Sequence, residues 1–199
     1  MSTKSERNEL AKARARALGA KLFAEKGYRE TTTRELSAAM EVTNGTFYYY
    51  FSSKEDLLYE ISRDALVEIT AAVNDALDGV EDRETRIKKM IAAHMTTILS
   101  SPDSHKTALE MNWRSLTDDK RQEIVEARAD YEALFRSEIQ SAQASGALRR
   151  NVQARTLTLL LLNMMNWTIF WYRAGRDLAI DDLIVEVQTL FLDGSRGGS

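Results

Sequence analysis

Apolar residues recur along this chain at the three- and four-residue spacing of amphipathic helices. In the longest such stretch, residues 118–145, the apolar stripe consists of Ile124, Ala127, Tyr131, Leu134, Phe135 and Ile139. The same pattern predicts nine helices, at about residues 10–26, 32–40, 43–51, 54–77, 82–100, 104–115, 118–145, 154–174 and 181–192. The predicted fold class is therefore all-α.

Helix-start and helix-stop residues support these boundaries. Thr32-x-x-Glu35 and Ser53-x-x-Asp56 are capping boxes, and Thr43 is placed as an N-cap. The other boundary signals are the N-cap Asp82, the break at Pro102, and the C-terminal glycines Gly27, Gly146 and Gly175. Two short helices between residues 32 and 51 are thus joined by a tight turn, which is a helix-turn-helix arrangement. This spacing alone is a weak signal, because many small helical proteins contain it.

Composition supports the all-helical prediction and excludes several kinds of chemistry. The chain of 199 residues contains one proline and nine glycines, too few for the turns of a β-sandwich or barrel. It has no cysteine, and its two histidines, His94 and His105, match no metal-ligand spacing. No nucleotide-binding or serine-hydrolase motif occurs. We therefore expect no enzyme, no metal site and no cofactor.

Two segments bear on location. The first four residues lack an apolar core, so no signal peptide is predicted. The longest uncharged run, residues 156–172, has 17 residues and includes three threonines and two asparagines. This is short of the ~20 residues that a membrane span requires, so we expect a buried helix in a cytoplasmic protein.

Charge is distributed unevenly along the chain. Residues 1–34 carry nine Lys and Arg against four Asp and Glu, which gives +5. Because the whole chain has a net charge of −3, the remainder sums to −8. A basic N-terminal end suggests contact with a polyanion such as nucleic acid, although a solvated helix face would give the same pattern.

Residues 31–58 read TTTRELSAAMEVTNGTFYYYFSSKEDLL. The order and spacing of the capped helix, the Val-Thr turn, the Gly-Thr-Phe-Tyr helix and the following Phe-x-x-Lys-x-x-Leu resemble the TetR family of transcriptional regulators. The resemblance covers about residues 10–60, and the helix count extends it over the chain. It implies double-stranded operator DNA as a partner, bound by a recognition helix that Thr43 begins.

Physical considerations agree with this implication. Side chains at the start of a recognition helix can enter the major groove, while backbone N–H groups meet phosphate. Gly45 allows close approach of the backbone, and Lys54 is placed as a phosphate contact. Phe47 and Phe51 should pack the core, whereas the role of Tyr50 is open. The predicted DNA-binding residues are Thr33, Arg34, Thr43, Asn44, Gly45, Thr46, Tyr48, Tyr49 and Lys54.

The sequence departs from the family pattern at a few positions. Glu41 stands in the turn where the family usually has glycine, which places a carboxylate near the DNA. Gly19 replaces an alanine, and Ala15-Arg16 replaces an Ile-Leu pair. We therefore expect loose packing of the first helix.

The remaining helices correspond, in this family, to a ligand-sensing and dimerising domain. We predict a DNA-binding domain at 1–52, a ligand-binding and dimerisation domain at 53–194, and a disordered tail at 195–199. The helix at 154–174 is apolar on every side, so a single subunit cannot easily cover it. With the last helix it would form a four-helix bundle in a homodimer.

Polar and aromatic residues within the apolar helices are candidates for a ligand pocket, although such residues are more often plain core. The candidates are Met90, His94, Met111, Trp113, Tyr131, Phe135, Asn163, Asn166, Trp167 and Trp171. We expect His94 to be a hydrogen-bonded histidine rather than a ligand contact.

Residues 166–184, NWTIFWYRAGRDLAIDDLI, resemble the C-terminal motif of TetR-family repressors of fatty-acid and steroid catabolism. That resemblance implies an acyl-CoA thioester as effector. Arg149, Arg150, Arg155 and Arg173 are candidates for a basic pocket mouth.

The function predicted from sequence is a ligand-responsive transcriptional regulator, a repressor in our interpretation. It would bind a palindromic operator as a dimer and be released by a small hydrophobic effector. Two alternatives stay open: a helical ligand-binding protein or enzyme without DNA binding, and a membrane-associated protein anchored through residues 156–172.

Overall fold

The computed structural model describes residues 4–176 and 178–195, and within these ranges it is built of helices without any strand. The prediction of an all-α fold is confirmed. The α-helices in these ranges are α1 (Lys4–Lys26), α2 (Thr33–Ala39), α3 (Asn44–Tyr50), α4 (Lys54–Leu77), α5 (Arg83–Ser100), α6 (Pro102–Leu109), α7 (Asp118–Ser145), α8 (Ala154–Trp171) and α9 (Ile180–Ser195). A 3-10 helix, Met111–Ser115, follows α6.

The N-termini of α2 and α4 form where the capping boxes predicted them. Thr32 and Glu35 make a reciprocal capping box: the Thr32 hydroxyl accepts from the Glu35 N–H at 3.3 Å, and the Glu35 carboxylate accepts from the Thr32 N–H at 2.8 Å. At α4 the Ser53 hydroxyl accepts from the Asp56 N–H at 3.0 Å. The Asp56 carboxylate accepts from the N–H of Ser52 instead of Ser53. Each bond satisfies an N–H that the helix leaves open.

The predicted break at Pro102 is confirmed, since α5 ends at Ser100, but several predicted boundaries are wrong. Helix α1 begins at Lys4 and not near residue 10, and α6 begins at Pro102 and not at residue 104, because the missing N–H of proline costs nothing in the first turn. Helix α8 ends at Trp171, because Tyr172 adopts an extended conformation with ψ of 136°. Ser195, predicted to begin a disordered tail, ends α9, and its carbonyl accepts from the Arg149 N–H at 2.7 Å. Residues 196–199 of that predicted tail lie outside the described residues.

The chain divides into two compact units. Unit 1 comprises Met1–Ala65 and Ser101–Val125, and unit 2 comprises Leu66–Ser100 and Glu126–Ser199. The predicted boundary between residues 52 and 53 does not coincide with this division, since the first half of α4 and residues 101–125 cluster with the N-terminal helices.

The core of unit 1 forms around aromatic and leucine side chains. Phe23, Leu36 and Phe47 are fully buried there. The expectation of loose packing is wrong at Gly19, because a Cβ at that position would lie 2.7 Å from Leu57 Cδ2. The Leu57 side chain of α4 therefore occupies the space that a side chain at position 19 of α1 would need.

Unit 2 is tied together by Arg86, in the first turn of α5. Its guanidinium donates two hydrogen bonds of 2.7 Å to the Glu138 carboxylate of α7. It also donates to the carbonyl oxygens of Leu77 at 3.0 Å and Val80 at 2.7 Å. This bidentate pair lowers the pKa of Glu138. One side chain thereby joins α5 and α7 to the C-terminal end of α4.

No helix in the described ranges combines the length and apolar character that crossing a bilayer requires.

The turn between α2 and α3 contains a strained residue. Glu41 has a φ of +57°, and among non-glycine residues of the described ranges no other φ is positive. An L-residue in this left-handed region is destabilised by about 1 kcal/mol through contacts of its Cβ. This conformation explains why glycine suits the position.

We expect Glu41→Gly to raise the free energy of unfolding by about 0.5 to 1 kcal/mol, because glycine adopts this φ without strain. Glu41→Gln is the matched control, since it removes the same charge and keeps the Cβ. Urea denaturation should show stabilisation in the glycine variant alone. Equal stabilisation by both variants would assign the effect to charge and contradict the strain account.

Candidate functional site

Helix α3 has one buried face and one exposed face. Phe47 and Phe51 are 0% and 1% exposed, and their ring centroids lie 5.7 Å apart in the core of unit 1. Tyr48 and Tyr49 are 54% and 72% exposed. Large aromatic side chains this exposed on a short helix are unusual unless the surface contacts another molecule.

The first turn of α3 carries the next group of predicted DNA contacts. The Thr43 hydroxyl accepts from the Thr46 N–H at 3.1 Å and lies 3.0 Å from the Thr46 hydroxyl. Both threonines therefore help to form the helix end. Asn44 and Gly45 are exposed beside them, where backbone N–H groups at a helix N-terminus point outward.

Gly45 is not required by the fold around it. A Cβ added there would meet only the Thr43 hydroxyl, at an ordinary contact distance of 3.7 Å, and φ of Gly45 lies outside the left-handed region. Glycine within a helix is less stable than alanine by roughly 0.5 to 1 kcal/mol. Nothing within the described part of the chain offsets that cost, so the missing side chain points to close approach by another molecule.

Helix α2 supplies two further predicted contacts in the same unit. Arg34 is exposed and Thr33 is half-buried, both in the first turn of α2. Helices α2 and α3 pack against each other. Unit 1 therefore contains all of the predicted DNA-binding residues.

Lys54 has partners that the sequence did not reveal. Its ammonium group donates to the carbonyl oxygens of Tyr28 and Thr31, each at 2.8 Å, and lies 3.5 Å from that of Arg29. It also stands 4.3 Å from the centre of the Tyr28 ring, and burial lowers the pKa of Lys54. Two of the three N–H donors of the ammonium are thus engaged in the fold, and the contact of Lys54 with phosphate stays a prediction.

Part of the basic N-terminal charge is neutralised within unit 1. Lys12 and Arg16 donate to the buried Glu60 at 2.6 and 3.0 Å. Lys26 pairs with Glu35, and this hydrogen bond, with those from Thr32, lowers the pKa of Glu35 to about 2. Three of the nine basic residues at positions 1–34 are therefore paired with carboxylates, which reduces the positive charge available to a polyanion. Arg34 remains exposed.

Unit 2 contains a buried polar cluster. His94 is 1% exposed; its Nδ1 lies 2.8 Å from the Tyr131 hydroxyl and its Nε2 lies 3.0 Å from Asn166 Oδ1. Since Asn166 Oδ1 only accepts, Nε2 carries the proton and Nδ1 accepts from Tyr131. Burial raises the pKa of Tyr131 far above its usual value, which keeps the phenol protonated. The prediction that His94 is hydrogen-bonded is confirmed.

The predicted pocket residues do not all lie with His94. Met90 and Phe135 are fully buried in the same unit, and the Phe135 ring lies 5.9 Å from that of His94. The side chains of Asn163, Trp167 and Trp171 are exposed and lie outside this cluster, so their role in ligand binding stays a prediction. Trp113 belongs to unit 1, and the side chain of Met111 lies outside the described residues.

Two arginines of the predicted pocket mouth form local hydrogen bonds instead. Arg150 donates to the carbonyl oxygens of Gln143 at 2.7 Å and Ala144 at 2.5 Å, near the C-terminal end of α7. Arg173 donates to those of Tyr172 and Phe170 at 2.9 and 3.3 Å. Cations at these positions stabilise helix ends, which weakens their assignment to phosphate binding.

Comparison with known proteins agrees with this geometry. Residues 16–61 match the family model described as "Bacterial regulatory proteins, tetR family", and residues 80–195 match "Tetracyclin repressor-like, C-terminal domain". The chain is 23% identical over 182 residues to the HTH-type transcriptional repressor KstR2 of Rhodococcus jostii, and the match covers 89% of this chain and 87% of that one.

Solved structures show the same fold. PfmR, a TetR family transcriptional regulator of Thermus thermophilus, matches with a TM-score of 0.82 and 28% identity, covering 90% of this chain and 97% of that one. AibR, crystallised with isovaleryl coenzyme A and operator DNA, matches with a TM-score of 0.79 and 19% identity, covering 89% and 97%.

Proposed function

This chain belongs to the TetR family of bacterial regulatory proteins, and we propose that it is a cytoplasmic, ligand-responsive transcriptional repressor. Two copies bind a palindromic operator through α3, and a small hydrophobic effector bound in unit 2 releases the DNA. The effector must bind the DNA-incompetent state more tightly, with a coupling free energy of about 1–3 kcal/mol. A shift of α4, which contains residues of both units, would change the separation of the paired recognition helices.

The observation that carries DNA binding is Gly45 on the exposed face of α3. The fold leaves room for a side chain there and the helix would be more stable with one. Close approach of a phosphate or base edge to the backbone accounts for its absence. Asn44 would then read a base edge, and the exposed Tyr48 and Tyr49 would reach the sugar-phosphate backbone.

We expect Gly45→Ala to raise the free energy of unfolding by about 0.5 kcal/mol and to weaken operator binding by at least tenfold, because the methyl group keeps DNA away. The matched control is Gly194→Ala, in α9, where an added Cβ would likewise meet no close contact. Both variants should gain stability in urea denaturation. Binding is measured by fluorescence anisotropy on a duplex selected with the wild-type protein from a random library. Unchanged affinity in Gly45→Ala would contradict the proposed interface.

The homodimer is proposed from the exposed faces of α8 and α9, which contact each other in unit 2. Leu157, Leu161 and Met165 are buried on one side of α8. On the other side Leu160 and Trp167 are 59% and 65% exposed. Exposed leucine and tryptophan on a helix with a fully buried opposite face are typical of an interface between subunits. The exposed Val185 and Leu190 extend this apolar surface onto α9.

We expect Leu190→Glu to dissociate the dimer, since it would place two like charges in a buried interface. Val67→Glu is the matched control, because Val67 of α4 is 62% exposed and Leu190 is 68% exposed. Sedimentation velocity at micromolar concentration should show a monomer for the first variant and a dimer for the second. Dimers in both cases would place the interface elsewhere.

The effector site is proposed beside the hydrogen-bonded cluster of His94, Tyr131 and Asn166, at the half-buried Asn166, with Met90 and Phe135 as apolar walls and His94 as a support rather than a ligand contact. A largely apolar region with a few polar groups is typical of small-molecule sites. The acyl-CoA thioester is the first ligand class to test, given the C-terminal motif and the isovaleryl coenzyme A bound by AibR.

A thioester that is the effector should stabilise the protein by about 2.7 kcal/mol at 100 times its Kd, measured as a shift in Tm across a series of acyl-CoA thioesters, free fatty acids and steroid acids. We expect Asn166→Ala to abolish the shift. Asn163→Ala should keep it, because that amide is exposed on the same helix. Stabilisation lost equally in both variants would contradict a site at Asn166, and stabilisation by free acids alone would exclude the thioester.

A further inference from the structure

Backbone carbonyl groups in the C-terminal part of α1 and in the segment that follows it are bound by side chains from two other helices. This carbonyl row consists of the oxygens of Ala20, Ala24, Tyr28 and Thr31. Thr107 donates to Ala20 O at 3.2 Å, and Lys106 donates to Ala24 O at 2.7 Å. Lys54 donates to the remaining two at 2.8 Å each. All of these residues lie in unit 1.

One member of the row, Ala24 O, follows from the geometry of a helix end. The last four carbonyls of α1 have no N–H partner within the helix. The Gly27 N–H donates to the Phe23 carbonyl oxygen at 2.8 Å. The Ala24 carbonyl oxygen instead accepts from the Lys106 ammonium. A cation at this end also interacts favourably with the helix dipole. Adjacent residues of α6 thus hold carbonyls one helical turn apart.

Two carbonyls of the row, those of Tyr28 and Thr31, belong to the segment that leads into α2. Residues 27–32 connect Lys26, the end of α1, to Thr32, the N-cap of α2. Tyr28 and Thr31 are buried in this segment, and the Thr31 hydroxyl donates to Gly27 O at 2.7 Å. The segment that leads to Thr33 and Arg34 is therefore held directly by the Lys54 ammonium of α4, while the Lys106 ammonium of α6 holds Ala24 O, three residues before the segment begins.

We propose that Lys106 is a positioning residue for operator binding. It contacts no DNA and acts by holding the end of α1, and hence the start of α2, in the arrangement that the operator requires. This inference rests on the proposed function, because it assumes that unit 1 binds DNA.

The test separates positioning from charge and from phosphate contact. Lys106→Met removes the ammonium and keeps the alkyl stem, and Lys106→Arg restores a cationic donor. Lys21→Met is the matched control, since Lys21 is an exposed lysine of α1 and its loss changes net charge equally. Affinity for the duplex selected with wild-type protein is measured across a salt series, well below the Tm of every variant.

We expect Lys106→Met to lose about tenfold in affinity with an unchanged slope of log Kd against log salt concentration. A lysine that contacts phosphate would instead reduce the slope by about one. Lys106→Arg should recover to within about threefold of wild type, and Lys21→Met should lose less than threefold. A lowered Tm with unchanged affinity, or a reduced slope, overturns the proposal.

Hydrogen exchange of the free protein gives a second readout that needs no DNA. The amides of residues 28–33 should exchange faster in Lys106→Met than in wild type, whereas those of α3 should not change. Unchanged exchange of residues 28–33 overturns the proposal even if the wild type binds DNA. Failure of the wild type to select any duplex counts against the proposed function, and exchange then still decides whether Lys106 holds the segment.

Discussion

An α-helix leaves its first N–H groups and its last carbonyls without partners, and a chain made of helices must supply those partners from elsewhere. Here the N-terminal partners are local, as at Thr32 and Ser53. At C-terminal ends some cationic partners are local, as Arg150 is at α7, and others come from another helix: Lys106 binds a carbonyl of α1, and Arg86 binds Leu77 O at the end of α4. Where the partner comes from another helix, completing the helix end also fixes which helices pack together.

Because these cationic side chains are engaged within the fold, other exposed residues must form the binding surfaces. Lysines and arginines that bind carbonyls or the buried Glu60 are already engaged in the fold. The exposed face of α3 is different, because Asn44, Gly45 and Tyr49 serve no evident packing role. The same contrast holds in unit 2, where one face of α8 is buried and the tryptophans of the other are exposed. The surfaces that the fold does not use are those that we assign to DNA and to a second subunit.

The sequence predicted features whose cause is local and missed those whose partner is distant. Capping boxes lie within four residues, so the helix-turn-helix was visible in the pattern. Lys54 and Lys106 bind backbone carbonyls 23 and 82 residues away, and no side-chain pattern marks a backbone partner. Asn163 and Asn166 could not be distinguished, because a helix that is apolar on every side has no periodicity to show which face turns inward. The sequence shows that Glu41 departs from the family pattern, but its positive φ is apparent only in the structure.

Hydroxyl-radical footprinting of the wild-type protein on a selected duplex shows whether α3 reads DNA from a symmetric pair of subunits. We expect two protected half-sites, related by two-fold symmetry and centred about one helical turn, ~34–36 Å, apart or a multiple of it. Protection should disappear together at both half-sites as salt concentration rises. Uniform protection without sequence preference, or one isolated half-site at saturating protein, would contradict the account.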